Sequence, residues 1–321
     1  MTINRRHFLH AAAGAGLAMP LLGHAQATRP FTLQAAWIND AEFMGYFVGM
    51  DKGFYKAEGL DLKYLSGGPD VIPEGSVLSG KADVALTTVE TVVSAITKQK
   101  APLVIIGAQY QKNPIGIVSL SSKPIRTPAD LVGKTVAVPP VNRLTVEAML
   151  KLNGIDKSKV RIVPYAYDPT PLLKGEIDAS LDFTTNVPYT IKTKGQEATS
   201  FLLADFKLPL FNDVLVVTRD TLAKRRKDLV GFMRASRKGW DENFKDTTAY
   251  PPQFKDTWFK GTGRSLENEV FFNGAQKTLM THPKGIFTMS DEAIGACIEA
   301  LNAVNVKADR SHFDTSLLSE I

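Results

Sequence analysis

Across 321 residues the chain holds one cysteine and five histidines. The lone Cys297, inside DEAIGACIEALNAV, excludes an internal disulfide and any Cys-x-x-Cys metal knuckle. His7, His10 and His24 sit in the first 27 residues, which leaves His282 and His312 for the rest. There is no His-x-x-x-His spacing, and no Ser-His-Asp set can be assembled around two C-terminal imidazoles. The sequence therefore reads as that of a non-enzyme with no metal and no cofactor. An excess of one charge is also lacking. Beyond residue 27, 36 Lys and Arg face 33 Asp and Glu, which is no footprint for nucleic acid. The basic run RRK at 225–227 falls in a helical pattern and reads as a solvated face. No apolar run approaches the ~20 residues that span a bilayer.

What the N-terminus does have is a basic start, NRRHFLH at 4–10, a short run AAAGAGLAMPLLG, and AQA at 25–27. This is the pattern of a cleavable export signal over 1–27. Arg5 and Arg6 with Phe8 and Leu9 resemble a twin-arginine signal, with Asn4 where Ser or Thr is usual; general secretion fits the same run. With no cysteine at the cleavage point, the expected product is soluble, without a lipid anchor, monomeric and released into a periplasm.

One phrase occurs twice. SGKADVALTT (79–88) and KGEIDASLDFTT (174–185) each run from a glycine helix stop through an Asp into an apolar strand, with Asp83 and Asp178 95 residues apart. The segments before them match as well. FTLQAAW, a helical 41–59, LDLKYL and a short helix precede the first phrase. KTVAVPP, a helical 143–154, VRIVPY and a short turn precede the second. Each half is β-α-β-α-β, the signature of parallel sheets with right-handed crossovers. The strand-like 101–120, broken near Asn113-Pro114, and NDVLVVTRD (212–220) would cross between the halves as a two-stranded hinge. The expected division is 28–112 plus 221–321 for one lobe and 113–220 for the other. The C-terminal hundred residues, helical with a break at Pro251-Pro252, would buttress the first lobe. A ligand would lie in the cleft, beyond the carboxyl ends of the strands.

The stretches YFVGMDKGFYKAEGLDLKYLSGG, SGKADVAL and IRTPADLVGKTVAV make the chain similar to the solute-binding proteins of ABC importers. The branch it resembles contains aliphatic-sulfonate, nitrate and thiamine-pyrimidine-precursor binders; GFYKAEGLDL followed by GGPDV looks most like the thiamine-precursor side. The resemblance covers nearly the whole chain after residue 27. It implies an α/β, two-lobed periplasmic-binding-protein fold of type II. It also implies transient docking to an inner-membrane permease, and a small, heterocyclic ligand. The alternatives are a sulfonate, taurine or nitrate ligand, or a receptor for a signalling partner.

Carried over by position, the family's pocket loops fall on Trp37, Asn39, Glu42 and Tyr46; on Gly68, Pro69 and Asp70; on Thr87, Thr88 and Glu90; on Pro140, Asn142 and Arg143; on Asp182 and Asn186; and on Tyr110 near the hinge. Where pyrimidine-precursor binders carry Asn-x-Glu after the last strand of the second lobe, this chain has Asn186-Val187-Pro188, so that carboxylate is missing. Thiamine-pyrimidine synthases on the same fold need a His, a pyridoxal-binding Lys and a Cys-rich motif; this chain lacks the His and Cys parts.

Each residue also has a plain structural reading. TTVE (87–90) is a capping box, Thr87 bonding forward and Glu90 reaching back. Asp70 is a cap, Asp182 an acid paired with Arg143, and Asn186 an N-cap. Trp37 can stack a flat ring or fill a core. As a group the candidates are acids and amides with one clear cation, Arg143. That composition suits a ligand that donates hydrogen bonds and has a ring for Trp37 or Tyr110.

Overall fold

The computed structural model describes residues 28–165 and 168–321; the export signal expected at 1–27 lies outside the described residues. Among the described residues, ten strands form two five-stranded sheets in two lobes. The first sheet holds β1 (Arg29–Gln34), β2 (Leu60–Leu65), β3 (Val84–Thr87), β4 (Leu103–Tyr110) and β10 (Asn212–Thr218). The second holds β5 (Ile115–Leu120), β6 (Thr135–Val138), β7 (Arg161–Pro164), β8 (Ala179–Phe183) and β9 (Ala198–Leu202). Their orders are β2-β1-β3-β10-β4 and β7-β6-β8-β5-β9, the same pattern twice. In each sheet one strand runs antiparallel to its neighbours: β10 in the first, β5 in the second. Each of these has just entered from the other lobe.

β10 corrects the expected boundary. It pairs with β3 and β4 in the first sheet, so the return to the first lobe occurs over residues 203–211 and not after 220. The other crossing is the short stretch 111–114 between β4 and β5. Both crossings are loops held side by side: Asn212 lies opposite Tyr110, and Lys112 is ion-paired with Asp205.

The repeated phrase has one physical job in both lobes. Asp83 accepts the N–H of Thr32 at 2.8 Å and returns its own N–H to the Thr32 carbonyl at 2.9 Å. Asp178 does the same to Thr135, at 2.8 and 2.9 Å. Each Asp thus locks the last strand of its β-α-β-α-β unit to the first, β3 to β1 and β8 to β6. Gly80 and Gly175 before them are left-handed, which a Cβ would oppose. Replacing Asp178 by alanine leaves the Thr135 N–H without its acceptor. The expected cost is about 1–2 kcal/mol in urea unfolding, with Asp178→Asn, whose amide oxygen can still accept that N–H, recovering most of the loss.

The helices are α1 (Met44–Asp51), α2 (Phe54–Ala57), α3 (Pro73–Leu78), α4 (Val89–Gln99), α5 (Arg143–Leu152), α6 (Thr170–Leu173), α7 (Val187–Thr193), α8 (Arg219–Lys224), α9 (Arg226–Lys245), α10 (Pro251–Phe254), α11 (Leu266–Met280) and α12 (Asp291–Ala303). α1 is buried on nearly every side, consistent with its unbroken apolar run. α9 packs along it and Phe254, Trp258 and Phe259 close on its Phe47, so the C-terminal third does buttress the first lobe; Phe31, Tyr46, Phe232 and Trp240 meet in that core. The opposite face of the first sheet shares one apolar cluster with the second lobe, continuous through Leu208, Leu210 and Phe211 of the return crossing. The basic run is not simply solvated: Arg225 pairs with Asp83 and Asp228, and Arg226 with Glu320. No helix among the described residues is long and apolar enough to cross a membrane.

Candidate functional site

The carboxyl ends of β1–β4 and of β6–β9 face the two crossings, and a group of buried acids and partnerless polar atoms gathers there. After β1 the chain turns through a 3-10 helix, Ala41–Phe43, capped by Asp40, whose Oδ1 accepts from Glu42 N at 2.9 Å. The loop after β2 lies backbone against backbone on this one. Gly67 N donates to the Trp37 carbonyl at 2.9 Å, and a Cβ on Gly67 would sit 2.4 Å from the Ala36 carbonyl carbon. Only glycine permits that approach.

Beneath the loop lies a buried carboxyl cluster. Asp40 Oδ2 pairs with Arg264 at 2.7 Å. Gln109 Nε2 donates to the Glu42 carbonyl and to Asp213 Oδ2, both at 2.9 Å. Glu269 Oε2 accepts from Ala41 N at 2.7 Å, and Gln276 Nε2 donates to Ala41 O at 2.6 Å. The Glu42 and Asp213 carboxyls are close neighbours, and two buried carboxyls side by side disfavour both being ionised. Burial pushes all four acids up. Glu42 rises well above the usual range, with the Asp213 and Asp40 charges adding to burial. Asp213 is pushed to about 7 and Glu269 to about 8, while Arg264 opposes the rise at Asp40 and Glu269.

Several buried polar atoms around this edge lack a protein partner: Asn39 Oδ1, Glu90 Oε2, Gln109 Oε1, Asn212 Oδ1, Glu269 Oε1 and, from the second lobe, the Thr185 hydroxyl. Three of the six are amide oxygens, which only accept, and two are carboxyl oxygens, which accept when ionised. An unsatisfied buried acceptor costs about 1–3 kcal/mol, so a group of them at one sheet edge points to a donor supplied from outside. Burial pushes Glu90 to about 7 against a hydrogen bond from its own backbone N–H.

The second lobe contributes Asp182, the end of β8, where it accepts from Ser180 Oγ at 2.5 Å and is hydrogen-bonded to Tyr165. Burial holds its carboxyl at about 7. The expected partner is wrong: Arg143 is exposed and pairs with Glu147 on its own helix at 3.0 Å. The expected capping box also differs. Thr88, not Thr87, caps α4, its Oγ1 accepting from Thr91 N, while Thr87 and Thr91 both donate to Glu74. Glu90 points elsewhere.

Asn39 and Glu42 lie in the loop after β1, Tyr110 ends β4 and Glu90 is in the first turn of α4, all at the carboxyl edge of the first sheet, and Asn186 follows β8 in the second lobe. Trp37 is half-buried against the first-lobe core. Tyr46 is fully buried in that core beside Phe232 and Trp240, and Tyr110 donates to Gln276 Oε1 at 2.7 Å. Gly68 is buried, whereas Pro69, Asp70, Pro140 and Arg143 are exposed; Asn142 is half-buried in the 3-10 turn before α5. Asp40, Gln109, Asp213, Arg264 and Glu269 were not singled out by sequence. Asp213 did carry a signal: an acid opening an apolar strand, held at φ 47°, a left-handed position that Asp tolerates better than most. A surface groove of about 470 Å³ between α5 and the end of α12 is separate from these groups; its lining includes Lys151 and Lys157, and it contains none of the partnerless acceptors.

The family description NMT1/THI5 like matches residues 40–249. A formylaminopyrimidine-binding protein of Halalkalibacterium halodurans is 25% identical over 211 residues, 64% of this chain and 63% of that protein. The riboflavin-binding protein RibY of Chloroflexus aurantiacus is 24% identical over 249 residues, 76% of this chain and 70% of that protein. Among solved structures, a putative periplasmic sulfonate-binding protein of Methylobacillus flagellatus superposes with a TM-score of 0.67 at 12% identity, over 92% of this chain and 94% of that one. At that identity the likeness speaks for the fold.

Proposed function

The chain belongs to the NMT1/THI5-like family, and on that premise we propose that it is the ligand-binding component of an ABC import system, closing on a flat heterocycle that donates hydrogen bonds. The carrying observation is the surplus of buried acceptors at the cleft edge: Asn39, Gln109, Asn212, Glu269 and Glu90 all offer an oxygen with no protein donor. Amino and ring N–H groups would satisfy them. A sulfonate or nitrate would set acceptors against acceptors, and the nearby cation, Arg264, is already held by Asp40. Glu90 and Glu269 stand in for the carboxylate that Asn186-Val187-Pro188 cannot provide. Trp37 supplies a face for the ring. The two curated relatives are named for heterocycles, an aminopyrimidine and a flavin, which supports the same class. In this reading the chain is exported through its first 27 residues, works as a periplasmic monomer, and docks transiently on an inner-membrane permease. Ligand transfer needs no chemistry from it.

The test is thermal unfolding of protein refolded from denaturant, against aminopyrimidines, riboflavin, nucleobases, aliphatic sulfonates, taurine and nitrate. A true ligand at about 100 times its Kd adds roughly 2.7 kcal/mol, a shift of several degrees. The expected result is a shift with a heterocycle alone, lost in Trp37→Ala. A shift with a sulfonate or nitrate alone overturns the proposal.

A further inference from the structure

We propose that Arg264 is the positioning residue that ties closure of the two lobes to the ligand loop after β1, by holding Asp40 on one lobe and Asn186 on the other. Arg264 precedes α11, just after left-handed turns at Gly261 and Gly263, and Ser265 caps the helix behind it. Its guanidinium lies over the Phe272 ring at 5.7 Å, which fixes its plane. One side meets Asp40 Oδ2 at 2.7 Å. The other meets the second lobe. With the Asn186 amide turned so that its oxygen faces the guanidinium, that oxygen accepts from Arg264 Nη1 and Nη2 at 2.9 and 3.1 Å, and its nitrogen donates to Asn268 Oδ1 at 2.8 Å. This orientation satisfies both ends of the amide, whereas the reverse sets donor against donor.

Arg264 is the inner end of a seam between α7 and α11. Asn268 Nδ2 donates to Thr190 Oγ1 at 3.3 Å, and Tyr189 stacks on Phe271 with centroids 5.1 Å apart and planes 28° apart. Asn186, Tyr189 and Thr190 belong to the second lobe; Arg264, Asn268 and Phe271 belong to the first. On the first-lobe side the consequences converge on the loop. Asp40 Oδ1 orients Glu42 N, and Glu269 of the same α11 holds Ala41 N. A closed seam therefore sets the backbone that carries Trp37, Asn39 and Glu42. Only the fork of an arginine reaches both partners; a lysine ammonium keeps the charge for Asp40 and loses the second arm.

The inference rests on the binding reading for the purpose of closure, but closure can be measured with no ligand present. Spin labels at Lys56→Cys and Lys174→Cys, exposed on opposite lobes, report the distance between them; Cys297 is buried and stays unlabelled. The expected result is that Arg264→Lys shifts the closed-to-open ratio toward open by about tenfold, the worth of a charge-assisted hydrogen bond. Tyr189→Ala, which removes the stack on Phe271 and leaves the side-chain contacts of Arg264 with Asp40 and Asn186 in place, should shift it the same way. With whichever panel compound binds, Arg264→Lys should weaken binding mainly through a faster off-rate. A wild type already distributed like Arg264→Lys overturns the inference. So does an unchanged distance distribution in both variants, whatever happens to their melting temperatures. If the distances shift and no heterocycle binds, the heterocycle proposal fails and the role of Arg264 stands.

Discussion

Asp182→Asn should make the unliganded protein more stable than wild type at pH 8 and leave it unchanged near pH 4. Asp182 is buried at the end of β8, and burial raises its carboxyl from 3.8 to about 7, with Ser180 and Tyr165 only partly offsetting the rise. Between those values the folded state keeps a proton that the unfolded chain has released. The stability linked to that proton is present in full below about pH 4 and is lost as pH rises to about 7. A shift of three units corresponds to about 4 kcal/mol. Asparagine has no charge to bury, and its amide can still meet Ser180 and Tyr165, so the variant escapes the loss. Urea unfolding of both proteins from pH 4 to pH 8 gives the answer. Equal slopes with pH would mean that Asp182 is a well-satisfied carboxylate. Glu90, Asp213 and Glu269 act in the same direction and keep wild-type stability falling up to about pH 8. Ligand donors facing these oxygens prefer them ionised, so binding should release protons and tighten as pH rises across the window.

The same acids mark what a linear sequence conveys and what it withholds. The doubled phrase around Asp83 and Asp178 was legible because its cause is local to each unit: a helix stop, a turn, and an acid facing the neighbouring strand. The two β-α-β-α-β halves followed from periodicity. The lobe assignment of β10 did not, because NDVLVVT is equally apolar in either sheet. Its place is set by register against β3 and β4, strands more than a hundred residues earlier. The site divides along the same line. Asn39, Glu42, Glu90 and Asn186 could be placed at the ends of strands from sequence because they follow strands, where pattern alone gives position. Arg264 and Glu269 follow no strand; they arrive on α11, whose docking on the loop at Ala41 is tertiary. The cap at α4 slipped by one residue for a smaller reason. Thr87 and Thr88 are chemically alike, and Glu74, thirteen residues upstream, claims the first.

Gly239→Ala is the substitution expected to damage the fold most. α1 and α9 cross so closely that a Cβ on Gly239 would lie 2.0 Å from the Gly45 carbonyl oxygen, and one on Gly45 would lie 2.2 Å from the Trp240 ring. The obstacle for Gly239 is backbone, which cannot rotate aside, so the helices must separate. Their interface carries Tyr46, Phe232 and Trp240, all fully buried, and separation would open voids among them. The expected cost is at least ~3 kcal/mol, which for a chain of this size lowers Tm by roughly 6–12 °C. The damage should also reach the binding loop, because α1 begins at Met44, directly after the Ala41–Phe43 turn that Asp40 and Glu269 hold. Gly295→Ala is the matched control. It sits inside α12 with nothing within 4 Å of a Cβ, so removing the conformational freedom of glycine there should raise stability by about 0.5–1 kcal/mol. Calorimetry of the two variants side by side separates the effects. A Gly239→Ala protein that melts like wild type would mean that α1 and α9 do not cross at this point, and the positioning of the loop by the core beneath it would need another cause.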